Sequence, residues 1–237
     1  SWWKAASLLA VLFFPFCSNA QTVRIVVPFA AGGVQDIIAR SINTEFGAKI
    51  GRTVIVENRT GAGGTIANAS VAKSAPDGTT LLLAAASHTI TGHVYAKLPY
   101  HPLRDFTPIA HIGNVVYVLM VNGELPAKSV KEFIQYAKAN PGKLNYATAG
   151  TGSATHLSMA YFTSLAGIEM VHIPFKATNE AIQEVMVGRA HAVMASTIGA
   201  LPFAKDARFK MLGVSGSVRS KFAPDLPTIA EAGLPGY

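Results

Sequence analysis

The sequence is poor in cysteine and in charge. Its only cysteine among 237 residues is Cys17, so a small scaffold held together by disulfides is excluded. Charged residues make up 14% of the chain and hydrophobic residues 50%, which excludes an intrinsically disordered protein. A chain of this length can bury a sizeable core, as one large domain or two small ones.

The glycine-rich stretches lack the residues that phosphate sites require. A P-loop needs a lysine and a Ser or Thr directly after its last glycine, and no glycine-rich stretch here has that lysine. The stretch "GAGGTIA" from Gly61 resembles a dinucleotide fingerprint, but Ile66 stands where the third glycine belongs. We therefore interpret "GAGG" as a turn and a helix start, and we expect no cofactor.

Catalytic and metal-binding patterns are missing as well. The stretches "GTGSAT" and "GVSGS" lack the Gly-x-Ser-x-Gly spacing of a nucleophile elbow. The seven histidines show no His-Glu-x-x-His spacing. We expect no metal and no catalytic residue. The enzyme alternative is a periplasmic α/β hydrolase that uses Ser153 with His156, which lie three apart and can share a helix face, although no orienting acid follows.

The net charge of +7 comes from scattered basic residues. No run of Lys and Arg is interleaved with aromatic residues, so nucleic acid is not expected as a partner. The charge is compatible with an anionic ligand but does not identify one.

Residues 1–20 have the pattern of a secretory signal peptide. Lys4 precedes an apolar stretch from Ala5 to Phe16, and Ser18-Asn19-Ala20 forms a small-x-small cleavage pattern. An N-terminal membrane anchor is the alternative, but the apolar stretch is too short to span a bilayer. Cleavage after Ala20 would leave an exported chain without cysteine, which is typical of a bacterial periplasm.

Strand-like and helix-like stretches alternate in two parts of the chain, which predicts an α/β fold. We place a first domain at residues 21–121 and a second at 122–213, joined by a long strand that could cross between them, with hinge strands near 119–122 and 213–216. Residues 214–237 are expected to be an incomplete return segment to the first domain. A single α/β domain with a long insertion is the alternative.

Two loops rich in small residues are candidate binding sites. Each follows a predicted strand and opens a predicted helix: "PFAAGG" after Val27, and "ATAGTGSATH" from Ala147 to His156. Ligands of open α/β sheets lie at the carboxyl ends of strands. A helix N-terminus offers N–H groups and a partial positive charge to an anion. One such loop in each half predicts a ligand held between the halves.

Three polar residues near these loops have two interpretations each. Asp36 either complements the dipole of its helix or accepts hydrogen bonds that order the "AAGG" loop, and we expect it to order the loop without touching the ligand. His88 and His156 each follow a strand end, where they either contact the ligand or pack within a loop.

Six segments occur in order along the chain: "RIVVPFAAGGVQDIIAR", "VIVENRTGAGGTIANASVAKSAPDGTTLL", "YAKLPYHPLRDFTPIA", "LNYATAGTGSATHLSM", "VHIPFKATNEAIQEVMVGR" and "LPTIAEAGLPGY". From Thr22 to Tyr237 they resemble the Bug family, the periplasmic solute-binding proteins of tripartite tricarboxylate transporters. The resemblance implies a two-domain type II periplasmic-binding-protein (Venus-flytrap) fold. Family members continue beyond "EAGLPGY", so we expect the C-terminal part of this chain to be truncated.

The resemblance also implies where a ligand carboxylate is held. In the first domain the grip falls on the loop from Phe29 to Gly33, through backbone groups and bridging water. Side-chain donors are expected in "AASHT". The expected ligand-binding residues are Phe29, Ala30, Ala31, Gly32, Gly33, Ser87, His88, Thr148, Ala149, Gly150, Thr151, Gly152, Ser153, His156, Ser196 and Thr197.

One segment departs from the family pattern. After the strand at 191–195, many relatives have Asp or Asn facing the far end of the ligand, whereas this chain has Ser196 and Thr197. The ammonium group of an amino acid needs a carboxylate partner when buried. We therefore expect an organic acid without an amino group.

Together, these observations predict a periplasmic receptor that captures a small organic acid of the di- or tricarboxylate class, closes about a hinge and delivers the ligand to a membrane permease. We expect a monomer and no reaction. The alternative within the receptor class is a sensor that passes its closed state to a membrane signalling partner.

Overall fold

The computed structural model describes residues 21–237. The predicted signal peptide and Cys17 lie outside the described residues. Among the helices of residues 21–237, none has the length and hydrophobicity needed to cross a membrane.

The first unit is built on a parallel three-stranded sheet with the strand order β2-β1-β3. Val23 pairs with Val54 on one side of β1, and Arg24 pairs with Thr80 on the other. The apolar residues of β1 are buried under α1 and form the core of this unit. Its elements are β1 (Val23–Val27), α1 (Val34–Ile50), β2 (Val54–Asn58), α2 (Thr65–Ala72), β3 (Thr80–Leu82) and the short α3 (Thr91–Val94), with 3-10 turns at Ala62–Gly64 and Ala86–Thr89.

The second unit is built on a mixed five-stranded sheet with the strand order β6-β5-β7-β4-β8. Strand β5 is parallel to β6 and β7, while β4 is antiparallel to β7 and β8. Its elements are β4 (Tyr117–Asn122), α4 (Val130–Ala139), β5 (Asn145–Thr148), α5 (Ala154–Ala166), β6 (Val171–Pro174), α6 (Thr178–Met186), β7 (Ala192–Ser196), α7 (Thr197–Ala200) and β8 (Phe209–Val214), with a 3-10 turn at Leu201–Phe203.

Strand β4 is central to the second unit, and all six of its residues are buried. Side chains alternate between the two faces of a strand, and β4 accordingly feeds two hydrophobic clusters. On one face Leu119 packs with Phe133 and Phe162 of α4 and α5. On the other, Met120 packs with Ile182 of α6.

This position of β4 differs from the predicted division of the chain. The predicted boundary between 121 and 122 falls at the end of a strand that belongs wholly to the second sheet. The predicted hinge strands near 119–122 and 213–216 lie in β4 and at the end of β8, which pair with each other. The two units are instead connected by the segment 107–116, which has no helix or strand.

The segment 214–237 also differs from its predicted role as a return to the first unit. Ile229 is fully buried in the cluster of α4 and α5, and Leu234 joins it there. The N–H of Ile229 donates to the Val214 carbonyl at 2.8 Å, and the Tyr237 hydroxyl donates to the Ser158 carbonyl at 3.2 Å. The segment therefore packs on the second unit, because its apolar side chains complete that core.

Candidate functional site

A cleft of about 40 Å³ lies between the two units, with room for a few water molecules. The N-terminal ends of α1, α5, α6 and α7 reach it, one from the first unit and three from the second. The lining residues are Phe29, Ala30, Ala31, Gly32, Gly33, Val34, Gln35 and Ile37 from the first unit, and Tyr117, Ala149, Ser153, Ala154, Thr155, Ala177, Thr178, Asn179, Ser196 and Gly199 from the second.

The first-unit loop, residues 29–33, is held by the buried carboxylate of Asp36, which is 3% exposed. The carboxylate accepts hydrogen bonds from the Gly32 N–H at 2.9 Å, from Asn58 Nδ2 at 3.0 Å and from Arg40 Nε at 3.0 Å. Asn58 Nδ2 also donates to the Phe29 carbonyl at 2.9 Å. Asp36 is not among the lining residues, so it orders the loop from behind.

Hydrogen bonding keeps this carboxylate ionised. Burial by itself would raise the pKa of Asp36, but the hydrogen bonds from Arg40, Gly32 and Asn58 outweigh it, and the pKa lies below its ordinary value. The charge is neutralised by these donors and does not face an anion in the cleft.

The second-unit loop, residues 148–153, is held by polar side chains. Thr148 Oγ1 lies 2.6 Å from His172 Nε2, and the Ala149 N–H donates to Thr155 Oγ1 at 2.9 Å. Ser153 Oγ caps α5 by accepting the His156 N–H at 3.3 Å. These bonds fix the path of the loop into the helix start.

Two histidines stack behind this loop. The ring centroids of His156 and His172 are 4.2 Å apart, and Tyr146 stacks on His172 at 5.1 Å. Burial lowers the pKa of His156, and burial together with the neighbouring His156 lowers the pKa of His172 to about 4. Both rings are therefore neutral at pH 7, which lets His156 Nδ1 accept the Gly152 N–H at 3.2 Å.

The second unit supplies two further helix starts. No side chain caps α6, which begins at Thr178 after Ala177. At α7, Ser196 Oγ accepts the Gly199 N–H at 3.3 Å. Thr178, Asn179 and Ser196 thus bring side-chain amide and hydroxyl groups to the wall of the cleft opposite the first-unit loop.

The electrostatic character of the cleft comes from the backbone. None of its lining residues, all within the described part of the chain, is Asp, Glu, Lys, Arg or His. The N-terminal ends of the longer helices carry partial positive charge, and N–H groups at such ends bind carboxylate and phosphate groups. The arrangement favours a small anion that also contacts apolar surface, such as the ring of Phe29.

The structure brings half of the sequence-predicted residues to the cleft, and the other half do not line it. Phe29 to Gly33 line it together with Ala149, Ser153 and Ser196. Eight predicted residues do not: Ser87, His88, Thr148, Gly150, Thr151, Gly152, His156 and Thr197.

Local bonding explains the largest of these differences. His88 Nε2 is bonded to the Pro102 carbonyl at 2.8 Å, and its ring packs edge-on against Phe106. Thr197 Oγ1 donates to the Val116 carbonyl at 2.9 Å. The predicted side-chain donors at these two positions are therefore occupied in holding the 3-10 turn and α7 in place.

Sequence reasoning missed the third wall of the cleft, formed by Ala177, Thr178 and Asn179. This stretch lies between the strand at 171–174 and the following helix. The other two loops have the same strand-to-helix position, which could have identified this wall as well. Because this stretch has no glycine, its composition does not predict a binding loop.

The predicted hydrolase pair is not assembled. Ser153 Oγ caps the helix and lies 2.9 Å from Thr155 Oγ1, while His156 Nδ1 accepts from the Gly152 backbone. In residues 21–237, no group of three or more His, Cys, Asp or Glu could hold a metal ion.

This chain is similar in sequence and in fold to known proteins. A family profile described as "Tripartite tricarboxylate transporter family receptor" matches residues 38–237. A protein of Pseudomonas sp. strain P51, from the tcbD-tcbE intergenic region, is 35% identical over 219 residues. The match covers 92% of this chain and 65% of the Pseudomonas protein, so the chain spans just under two thirds of that relative.

Two solved structures have the same fold. R. palustris Rpa4515, solved with adipate, is 34% identical with a TM-score of 0.87, over 93% of this chain and 74% of that one. MatC (Rpa3494) of Rhodopseudomonas palustris, solved with bound malate, is 35% identical with a TM-score of 0.87, over 92% and 75%. These matches confirm the predicted periplasmic-binding-protein fold.

Proposed function

Because the chain belongs to the tripartite tricarboxylate transporter receptor family, we propose that it is a periplasmic receptor that holds a small organic carboxylate between its two units and delivers it to a membrane permease. The observation that supports this most directly is the convergence of four helix N-terminal ends on a cleft whose lining, within residues 21–237, includes no charged side chain.

The proposed binding mode places a carboxylate against the backbone of each wall. A carboxylate has two oxygens and one charge, which a few N–H groups at a helix start can satisfy. The loop 29–33 receives one carboxylate, and the starts of α5 and α6 receive the other end of the ligand. Binding then favours the closed arrangement because only there are both ends of the ligand satisfied.

The same cleft supports an organic acid without an amino group as the ligand. A buried ammonium needs an anionic partner, and no lining residue of the cleft in the described chain is Asp or Glu. Ser196 lines the wall with a hydroxyl, which suits a hydroxyl or carboxylate of the ligand. Rpa4515 and MatC, solved with adipate and malate, are consistent with this class.

A thermal-shift and calorimetry screen tests the proposal. We expect binding of adipate, malate or a related plain di- or tricarboxylate, with stabilisation of about 2.7 kcal/mol at a hundredfold excess over Kd. Tight binding of aspartate or glutamate without any plain acid would refute the ligand class. Turnover of esters, or no organic acid bound, would refute the receptor function.

A matched pair of variants assigns the site. Ala31 is exposed and lines the cleft, whereas Ala48 is exposed on α1 away from it. Ala31→Leu adds bulk inside the cleft and is expected to weaken binding about tenfold or more, since overpacking a filled site costs 1–3 kcal/mol. Ala48→Leu should bind as the wild type does, and equal affinities for the two variants would place the ligand elsewhere.

A further inference from the structure

The two units also touch outside the cleft, at a place the proposed binding mode does not use. The hydroxyl of Tyr95, just after α3, donates a hydrogen bond to the Thr151 carbonyl of the second-unit loop at 2.6 Å. This bond joins residues that are 56 positions apart and lie in different units. It is therefore formed only while the units are together.

Two glycines let the backbones come this close. A Cβ at Gly152 would lie 2.8 Å from Cε2 of the Tyr95 ring, and a Cβ at Gly63 would overlap the Thr151 carbonyl oxygen. Both glycines have positive φ, +76° and +61°, a conformation that other residues adopt at a cost. The "GAGG" turn thus does more than start α2, since its third residue lies against the other unit.

We propose that Gly63 and Tyr95 of the first unit, with Thr151 and Gly152 of the second, form a closing contact that sets the closed population of the receptor and so its ligand affinity. The inference rests on the proposed function in so far as it concerns affinity. Its structural part, that these four residues hold the units together, does not depend on the ligand.

The closing contact is coupled to the ligand loop by covalent connection. Thr151 and Gly152 directly precede Ser153, whose hydroxyl caps α5 at the wall of the cleft. A ligand that orders this loop also presents the Thr151 carbonyl to Tyr95. Tyr95 is accordingly a positioning residue, which acts on the ligand through the loop and does not touch it.

The chain offers a matched control for a variant at Gly63. Gly51 also has positive φ, +65°, but a Cβ there would meet nothing within 4 Å. Gly63→Ala and Gly51→Ala therefore introduce similar local backbone strain, and only Gly63→Ala places a methyl group against the other unit. Tyr95→Phe removes the hydrogen bond and keeps the ring against Gly152.

Closure is measured first without reference to affinity. Spin labels at Lys49→Cys and Lys138→Cys, one in each unit and both exposed, report the inter-unit distance by dipolar EPR in a Cys17→Ser background. The wild type and Gly51→Ala should both populate the short distance of the closed arrangement, and malate or adipate should increase that population. Gly63→Ala should shift the population to longer distances.

Affinity is measured next, with malate and adipate as probes. The apparent Kd is inversely proportional to the closed fraction. Gly63→Ala should therefore raise the apparent Kd about tenfold or more. Tyr95→Phe should raise it about fivefold, the worth of one net hydrogen bond, through faster dissociation with an unchanged association rate. Gly51→Ala should leave both rates unchanged.

Several results would overturn the inference. One is that the wild type never shows the short inter-unit distance. A second is that Gly63→Ala and Gly51→Ala have the same distance distribution. A third is that Tyr95→Phe leaves the dissociation rate of bound malate or adipate unchanged. If neither probe binds the wild type, the proposed ligand class fails, and the distance measurement alone still decides whether the closing contact holds the units together.

Discussion

Replacing Asp36 by Asn is the sharpest test of how the first-unit loop is held. The variant keeps the shape of the side chain and removes its charge. The carboxylate accepts from the Gly32 N–H and from Asn58 Nδ2, whereas an amide has one oxygen and an NH₂ group. One of the two donors therefore loses its acceptor and faces another donor.

The expected loss of stability follows from these bonds. Each hydrogen bond to a charged group contributes about 1.5–3 kcal/mol, and a neutral one about 1 kcal/mol. With one bond lost and the other converted to a neutral bond, Asp36→Asn should lower the free energy of unfolding by about 3 kcal/mol. The Arg40 pair is left out because that side chain is 52% exposed, and exposed pairs contribute little.

Urea unfolding followed by circular dichroism measures this loss at pH 7. With an m-value of about 2–3 kcal/mol/M, the midpoint should fall by about 1 M while m stays constant. Asp77→Asn is the matched control, because Asp77 accepts hydrogen bonds from Thr79 in an exposed turn, and it should leave the midpoint almost unchanged.

The pH dependence gives a second measurement of the same group. The pKa of folded Asp36 lies below its ordinary value of 3.8, so its stabilisation is present above pH 4 and is lost as the pH falls through the folded pKa. The difference between wild type and variant should therefore shrink below pH 4. Equal midpoints at pH 7, or a difference that grows in acid, would refute the role of Asp36 in ordering the loop.

Two further predictions concern the second unit. The pKa of His172 is lowered to about 4 from 6.5, so the unfolded chain takes up this proton at a higher pH than the folded chain, and the free energy of unfolding should fall as the pH is lowered from 6.5 to 4. In His172→Gln the urea midpoint should therefore decrease less between pH 7 and pH 5 than in the wild type. An equal decrease in both proteins would contradict this prediction. Ile229 is fully buried, so Ile229→Ala should lower the free energy of unfolding in urea by about 2–5 kcal/mol. Val218→Ala, at a side chain that is 73% exposed, should change it little. Equal effects of the two variants would mean that residues 214–237 do not complete the core of the second unit.

Much of the secondary structure could be predicted from local patterns. The bounds of β1 (Val23–Val27) and α5 (Ala154–Ala166) follow from local patterns, because an apolar run and a Ser-capped, Gly-terminated periodic stretch mark their own ends. Residues 228–233 form a series of turns, and Ile229 within them is buried in the core of the second unit.

Strand pairing could not be predicted in the same way. The apolar pattern of β4 marks a buried strand but carries no information about which sheet buries it. Its antiparallel partners are Ala192–Ser196 and Phe209–Val214, and the paired residues are 71 to 96 positions apart. The predicted crossing between domains therefore differs from the pairing that the structure has.

The candidate site was predicted as far as backbone composition could reveal it. Loops of small residues after strands identified the walls at residues 29–33 and at Ala149 and Ser153. The side-chain expectations at His88 and Thr197 depended on contacts made to Pro102 and Val116, in loops whose course no local pattern specifies.

In the proposed binding mode the cleft holds its ligand with main-chain groups, and this has a consequence for how such a receptor can change. An N–H group is present at every position except proline, so a substitution along Phe29–Gly33 or at the start of α6 alters the shape of the wall and leaves its donors in place. The preference for an anion and the choice among anions are thus encoded separately. A new acid can be accommodated by resizing side chains such as Phe29 or Asn179, without rebuilding the charge complementarity that holds it.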